Sequence, residues 1–168
     1  IATPPRAHDI EVPNKPLETG VVGLSRGAQP GPRIALRADI DGLPIQEDTG
    51  LPFSSVNDGV MHGCGHDLHM SLLIGAAHEL CSRRDELAGD VIFMFQPGEE
   101  GVDGCRYMLE EGLLDVAGSR PDWVYAIHVW SALDPCGTFS TKPGTVMASS
   151  DVAKVRIVGR GPDVDGVH

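Results

Sequence analysis

The chain has 168 residues, of which 41% are hydrophobic and 22% are charged, so its composition fits a globular domain with a core. Its 24 acidic and 13 basic side chains give a formal net charge of −11, which argues against nucleic acid or an anionic membrane surface as a partner. No apolar run approaches the roughly 20 residues of a membrane helix. The polar, proline-rich N-terminus does not resemble a signal peptide, and the four cysteines form no C-x-x-C pair. We therefore expect a cytoplasmic protein without a disulfide framework.

The N-terminal third contains an irregular segment followed by two predicted strands. Residues 1–19 hold four prolines and show no periodicity, which predicts an irregular lead-in. Residues 21–24 and 33–37 are rich in β-branched and aliphatic side chains and predict two strands. The intervening residues 29–32, Gln-Pro-Gly-Pro, predict a turn.

A helix and a buried strand are predicted next. From Leu68 onward the apolar residues have helical spacing. They are Met70, Leu73, Ile74, Ala77, Leu80 and Cys81. Asp67 is placed to cap this helix and Gly89 to end it. The continuous apolar run 91–95 predicts a strand that is covered on both faces, as in a parallel sheet.

The remaining elements follow from shorter patterns. Residues 106–111 predict a second helix, ended by Gly112, and residues 123–127 predict another strand. Residues 137–141 form a further candidate strand. Residues 152–158 alternate apolar and polar side chains, which predicts a half-exposed strand. This change of pattern predicts that a second domain begins near residue 150.

Strands that alternate with helices predict an α/β fold, with a mostly parallel-core sheet and flanking helices. The predicted regions are an irregular lead-in (1–19), a first domain (20–149) and the start of a second domain (150–168). Sites in such sheets form at the carboxyl ends of the strands. Asp39, the pair Glu99-Glu100 and His128 each follow a predicted strand, and residues 64–69 precede a helix. The sequence therefore predicts that four polar clusters meet at one edge of the sheet.

Cys64 and His66 are the strongest candidates for metal ligands. Glycines flank both residues and allow the backbone to bring a thiolate and an imidazole to one point, a combination that suits a divalent ion such as zinc. We expect His62, Asp67 and His69 in the same run to hold the ligands in place. The alternatives are a buried cysteine beside a surface histidine, or a cysteine nucleophile, for which the sequence shows no orienting residue.

Three further positions carry possible chemistry. Of the adjacent pair Glu99 and Glu100, one carboxylate can bind a metal while the other serves as a general base, although two solvated acids in a turn are common. His128 lies in an apolar strand end, where a histidine is either a core residue or a ligand. Asp39 is either a turn residue or a group that orients a ligand imidazole.

Six stretches carry these motifs in a fixed order. They are IALRADIDGLPIQEDTGLPF (34–53), MHGCGHDLHMSLLIGAAHEL (61–80), FMFQPGEEG (93–101), YMLEEGLL (107–114), AIHVW (126–130) and GTFSTKPGTVMASSDVAKVRIVGRG (137–161). Together they resemble the aminoacylase-type metallopeptidase family. The most similar branch contains N-acyl-amino-acid amidohydrolases, hippurate hydrolases and auxin-conjugate hydrolases. The resemblance covers roughly residues 20–161.

The resemblance implies a metal-dependent amidohydrolase that cleaves N-acyl amino acids, which are small-molecule substrates, through a metal-activated water. It implies two divalent metal ions, manganese or zinc. The implied ligands are Cys64, His66, Glu100 and His128. Glu99 would be the general base and proton shuttle, and Asp39 would support the ligands. The family fold is a zinc-peptidase-like catalytic domain with an inserted α+β lid domain, and members are often homodimers.

The chain departs from the family pattern in ways that predict a truncated member. Family chains are longer, and their last ligand histidine follows the lid. Pro162-Asp163 stand where the family usually has a glycine-histidine pair, and residues 162–168 do not match. We therefore expect residues 20–149 to be a partial catalytic domain and residues 150–168 to begin the lid. A catalytically silent remnant with a partial metal site is the competing hypothesis, and a thiol or redox protein using Cys64 is a third.

Overall fold

A four-stranded mixed sheet with one helix on each face makes up the ordered framework among the described residues. The computed structural model describes residues 10–13, 17–131, 135–149, 151 and 153–159. The strands are β1 (Val21–Arg26), β2 (Gln29–Asp39), β3 (Ala88–Gln96) and β4 (Trp123–Ala126). The helices are α1 (His66–Ser82) and α2 (Gly104–Glu110), and 3₁₀ turns span Arg84–Glu86 and Leu113–Asp115. Within this part of the chain, no helix has the length and apolar character needed to cross a bilayer.

The strand order β1-β3-β2-β4 places three parallel strands side by side. β2 runs parallel to both β3 and β4, whereas β1 pairs antiparallel with β3. Asp39 at the end of β2 lies opposite Gln96 at the end of β3. The carboxyl ends of β2, β3 and β4 therefore lie at one edge. The predicted α/β fold with a mostly parallel core and flanking helices is confirmed.

β3 is buried on both faces, as its apolar run predicts. Ile92 and Met94 pack in the cluster that contains Met108 of α2. Val91 and Phe93 face the other way, into the cluster formed with α1. Full burial of a large apolar side chain contributes about 1.5–3 kcal/mol relative to exposure, so this strand is the centre of the core.

The face of α1 that packs on the sheet is narrower than its apolar spacing predicts. Leu73, Ala77 and Cys81 are buried against β2 and β3, but Ile74 remains 60% exposed. The helix ends at Ser82, one short 3₁₀ turn before β3 begins, so the prediction that it runs to a terminal glycine is wrong.

The N-terminus of α1 also differs from the prediction. Gly65 is the N-cap in a left-handed conformation (φ 79°), and no side chain caps the helix. The predicted capping role of Asp67 is therefore wrong. Asp67 is exposed in the first turn, where its negative charge still complements the positive end of the helix dipole.

The predicted turn at residues 29–32 lies inside β2 instead. The register between β2 and β3 shifts between Gln29 and Arg33, and such an irregularity tolerates prolines because the ladder of hydrogen bonds is interrupted there. Gly89 belongs to this feature. It has φ 93°, and a Cβ at this position would clash with the carbonyl of Pro32. A glycine is therefore needed here for the close approach of β2 and β3.

The chain divides into two compact units, Ile1–Trp130 and Ser131–His168. Residues 137–141 and the described residues 153–158 contain no strand, so both strand predictions are wrong there, and Val152 lies outside the described residues. Alternating side chains form a strand only when a neighbour pairs with the backbone, and the described part of this unit contains no such pairing. The domain limits predicted at residues 19 and 149 remain predictions.

Candidate metal centre

The ends of the parallel strands meet beside the N-terminus of α1. Asp39 is the last residue of β2, and His128 lies two residues beyond β4. The Sγ atom of Cys64 lies 3.7 Å from Nε2 of His128. One potential ligand atom each from Cys64, His66 and Glu100 lie within 4.8 Å of one another. The structure thus brings together the four residues that the sequence analysis selected as ligands.

His66 contributes a buried ring nitrogen that has no hydrogen-bond partner. Its side chain is 1% exposed, and Nδ1 lies 2.9 Å from the backbone carbonyl oxygen of Asp41, so Nδ1 carries the hydrogen. Nε2 is buried and unpaired, 3.9 Å from a carboxylate oxygen of Glu100. Leaving a buried polar atom unpaired costs about 1–3 kcal/mol. A lone pair that faces a thiol and a carboxylate matches the donor set of a divalent metal ion.

Asp41 fixes the turn that carries the two glutamates. Its carboxylate oxygens accept the backbone N–H groups of Glu99 and Glu100, each at 3.1 Å. Burial alone would raise the pKa of Asp41, but these N–H donors outweigh it and hold the pKa below its usual value. A Cβ at Gly104 would clash with the carbonyl of Pro97, so a glycine is needed where α2 begins against this turn.

The adjacent glutamates have different surroundings. The side chain of Glu100 is 35% exposed and directs its carboxylate toward His66 and Cys64. Glu99 is exposed. Both residues are exposed, but only Glu100 belongs to a candidate ligand group among the described residues. This arrangement suits a metal ligand beside a proton acceptor.

The surroundings of Cys64 favour a bound cation over an activated thiol. Burial raises the pKa of this thiol, and its hydrogen bond with Glu100 and the nearby carboxylates of Glu99 and Asp39 raise it further. Reactive cysteines have a lowered pKa, so the raised pKa of Cys64 counts against the cysteine-nucleophile hypothesis. A divalent ion among these groups would reverse the effect, because it stabilises the thiolate.

A second group lies deeper and is almost entirely buried. Potential ligand atoms of Asp39, His66 and His69 also lie within 4.8 Å of one another, and these residues are 1%, 1% and 3% exposed. Asp39 accepts hydrogen bonds from His69 and from Arg37. The two groups share His66, so this imidazole links the buried and the open parts of the site.

For two residues that we expected to support the ligands, the described structure shows no such contact, so their role remains a prediction. His62 and Asp67 are exposed, and neither side chain is hydrogen-bonded to a candidate ligand in the described part of the chain. The sequence analysis missed the role of Asp41, although its place just past β2 offered a signal. It also missed Arg37, a cation within a buried strand, and the backbone N–H of Val129, which donates to His69 and has no sequence signature.

Comparisons with known proteins show the family of this chain. The model of peptidase family M20/M25/M40 matches residues 35–165. The chain is 47% identical to N-acetylcysteine deacetylase of Bacillus subtilis and 43% identical to thermostable carboxypeptidase 1 of Saccharolobus solfataricus. Each of these matches covers 90% of this chain and 38% of the relative.

A solved structure has a similar fold. It is the YXEP protein of Bacillus subtilis, described as a dinuclear metal binding peptidase from the M20 family. The two chains are 54% identical with a TM-score of 0.60, over 63% of this chain and 30% of that one. The present chain spans about 38% of the length of the curated relatives named above. Because the family model matches most of its residues, the chain belongs to peptidase family M20/M25/M40.

Proposed function

We propose that this protein is a metal-dependent amidohydrolase that cleaves the amide bond of N-acyl amino acids. The observation that carries the proposal is the buried, unpaired Nε2 of His66, which faces the thiol of Cys64 and the carboxylate of Glu100. A buried polar atom without a partner requires a specific explanation, and a metal ion is one that fits this donor set.

The proposed ligands suit zinc or manganese, and we propose two divalent ions. The ligands would be Cys64, His66, Glu100 and His128. Thiolate and imidazole favour zinc, and carboxylates are also good ligands for manganese. The description of the YXEP protein as dinuclear supports the number of ions. When bound, such ions activate water and polarise an acyl carbonyl.

Glu99 is the proposed general base. Its carboxylate is open to solvent, and its backbone is held by Asp41 next to the ligand Glu100. It would take a proton from the attacking water and return it to the amine as the C–N bond breaks, releasing the acid and the free amino acid. Asp41 would keep Glu99 and Glu100 at a constant spacing during both transfers.

The proposed substrate class has the chemistry that the relatives share. N-acetylcysteine deacetylase and a carboxypeptidase both hydrolyse an amide whose nitrogen belongs to an amino acid with a free carboxylate. A cytoplasmic location and a homodimeric state belong to the same proposal. The alternative of a catalytically silent remnant is not favoured, because the relatives are named for hydrolytic activities.

Metal titration of the metal-free chain tests the proposal. Calorimetry with Zn²⁺ and with Mn²⁺ should show binding that is weakened in His66→Ala and in His128→Ala. His78→Ala, which removes a histidine roughly 18 Å farther along α1 than His66, should bind as the unmodified chain does. The proposal fails if neither ion binds, or if His78→Ala weakens binding as much as the ligand variants do.

Activity and stoichiometry then separate the remaining possibilities. N-acetyl and N-benzoyl amino acids and an N-blocked dipeptide should be tested with the metal-loaded chain. Release of amino acid from the acyl amino acids supports the proposed substrate class, whereas preference for the dipeptide contradicts it. Two tightly bound ions would exclude the silent remnant with a partial site.

A further inference from the structure

His69 lies between the sheet and the segment that carries His128. Its Nδ1 is 2.6 Å from a carboxylate oxygen of Asp39, and its Nε2 accepts the backbone N–H of Val129 at 2.9 Å. The ring is 3% exposed, and Asp39 is 1% exposed. Both ring nitrogens of His69 are therefore used in hydrogen bonds within the protein.

These two bonds determine the tautomer of His69. A carboxylate oxygen can only accept, so Nδ1 of His69 carries the hydrogen toward Asp39. A backbone N–H can only donate, so Nε2 offers its lone pair to Val129. The ring is the neutral Nδ1–H form, and no lone pair is left for a metal ion.

The carboxylate of Asp39 is itself held by a hydrogen bond from Arg37. Arg37 donates from Nη1 to the second carboxylate oxygen of Asp39 at 2.8 Å and from Nε to Oε1 of Gln96 at 2.9 Å. Neighbouring strands thus fix the carboxylate that orients His69. Nε2 of His66 lies 3.7 Å from Asp39, too far for a hydrogen bond.

The peptide groups of Val129 connect His69 to His128 through hydrogen bonds. The carbonyl oxygen of Val129 lies 2.6 Å from Nδ1 of His128, so this ring is also protonated at Nδ1 and presents Nε2 toward Cys64. The segment packs closely on the start of α1, because a Cβ at Gly65 would clash with Cγ2 of Val129. His69 holds one side of Val129, and His128 is oriented by the other.

We infer that His69 is a positioning residue, held by Asp39 and Arg37, which sets the place and tautomer of His128 through the backbone of Val129. The group formed by Asp39, His66 and His69 is then a support for the metal centre and not a separate metal site. This inference rests on the proposed function, since it assigns His128 Nε2 to the metal.

Imidazole NMR tests the inference directly. Long-range ¹⁵N–¹H spectra of the chain identify which ring nitrogen of each histidine is protonated, bare or metal-bound. His69 should be the Nδ1–H tautomer both before and after addition of Zn²⁺, while Nε2 of His66 and of His128 shift to metal-bound positions. A metal-bound nitrogen in His69, or protonation at its Nε2, would overturn the inference.

Two substitutions separate positioning from packing. His69→Asn keeps a donor near the position of Nδ1 for Asp39 but has no acceptor for Val129. His69→Gln can place an amide oxygen near the position of Nε2 and accept that N–H. Loss of a group that orients a metal ligand typically costs about 10- to 100-fold in metal affinity. We expect that loss for Zn²⁺ in His69→Asn and substantial recovery in His69→Gln, with His78→Gln as the unaffected control.

The outcomes distinguish the inference from the proposed function. If Zn²⁺ does not bind the unmodified chain, the proposed function fails. The tautomer of His69 in the metal-free chain then still tests the hydrogen bonds of His69 with Asp39 and Val129. If Zn²⁺ binds and His69→Asn and His69→Gln weaken it equally, or not at all, the positioning role is wrong.

Discussion

The buried and open halves of the candidate metal centre have opposite characters. In the buried half, Asp39 and His69 are 1% and 3% exposed, and their polar side-chain atoms are matched by hydrogen bonds. In the open half, Glu100 is 35% exposed, and partial burial together with nearby carboxylates raises the pKa of the Cys64 thiol. In the proposed function, the buried half holds the ligands in place and the open half provides the metal ligands and the general base.

His66 belongs to both halves, and its two ring nitrogens have different surroundings. Its Nδ1 is paired inside the protein, but its equally buried Nε2 is not. A supporting residue would have both nitrogens paired, as His69 does. The contrast between these two histidines on the same turn of α1 supports the proposal that His66 is a ligand and His69 a supporting residue. Variants in either half of the site can test it.

The largest effect should come from the open half, in Glu99→Gln. Loss of a general base typically lowers the rate by about 10²- to 10⁴-fold, and we expect a fall of this size in amino acid release from N-acetyl amino acids. Zn²⁺ affinity should be unchanged, because Glu99 is not a proposed ligand. Glu79→Gln, an exposed acid on α1, is the control. Full activity in Glu99→Gln would rule out its role.

The next effect should come from the buried half, in Asp39→Ala. Removing this carboxylate leaves Nη1 of Arg37 and Nδ1 of His69 without their acceptor, and breaking a buried ion pair costs about 3 kcal/mol or more. Urea unfolding of the metal-free chain should show this loss. Asp85→Ala, at an exposed acid, should change the unfolding free energy by less than about 1 kcal/mol. Equal stability of the two variants would contradict a supporting role for Asp39.

Metal binding should stabilise the fold through the open half. At a free Zn²⁺ concentration about 100 times Kd, linkage predicts about 2.7 kcal/mol of added stability. Unfolding with Zn²⁺ and with EDTA measures this difference. It should shrink strongly in Cys64→Ser and persist in Cys105→Ser, at an exposed cysteine outside the site. An unchanged difference in Cys64→Ser would remove this thiol from the ligand set.

A smaller effect is expected at the boundary between the halves, in Asp41→Asn. Hydrogen bonds to a charged acceptor contribute about 1.5–3 kcal/mol, and the amide retains part of this, so we expect a loss of about 1.5 kcal/mol at neutral pH. The pKa of Asp41 is lowered in the folded chain, so its contribution is present above the ordinary value of 3.8. It disappears as the pH falls through the lowered value.

Urea unfolding as a function of pH checks this prediction. The gap between the unmodified chain and Asp41→Asn should narrow only at acidic pH, below the ordinary pKa of an aspartate. Asp58→Asn, in an exposed loop, should show no gap at neutral pH. A gap that is constant at every pH would mean that the charge of Asp41 contributes nothing.

The sequence predicted the parts of the molecule that depend on side-chain type. The apolar run that contains Phe93 predicted a strand covered on both faces, because only such a strand avoids exposed apolar surface. The carboxyl ends of parallel strands meet at one edge of a sheet, and this rule predicts from the sequence that Glu100 and His128 lie close together. The alternation of apolar and polar side chains gave a wrong strand prediction at residues 153–158, because such a pattern does not provide a partner strand.

Features that depend on backbone groups could not be predicted in this way. Any residue at position 129 has an N–H, so the bond from Val129 to His69 leaves no mark in the sequence. The start of α1 depends on Gly65, whose lack of a Cβ accommodates Val129 from a distant part of the chain. The wrongly predicted helix cap and the unpredicted bond from Val129 to His69 therefore have the same cause, the tertiary contact between Val129 and the start of α1.

The most direct test of the two-part metal centre is X-ray absorption of the Zn²⁺-loaded chain. We expect sulfur scattering at about 2.3 Å from zinc that is lost in Cys64→Ser and kept in Cys105→Ser and Cys136→Ser. We also expect that the imidazole scattering is reduced in His128→Ala. Zinc without a sulfur ligand, or a sulfur ligand that persists in Cys64→Ser, would contradict the proposed metal centre.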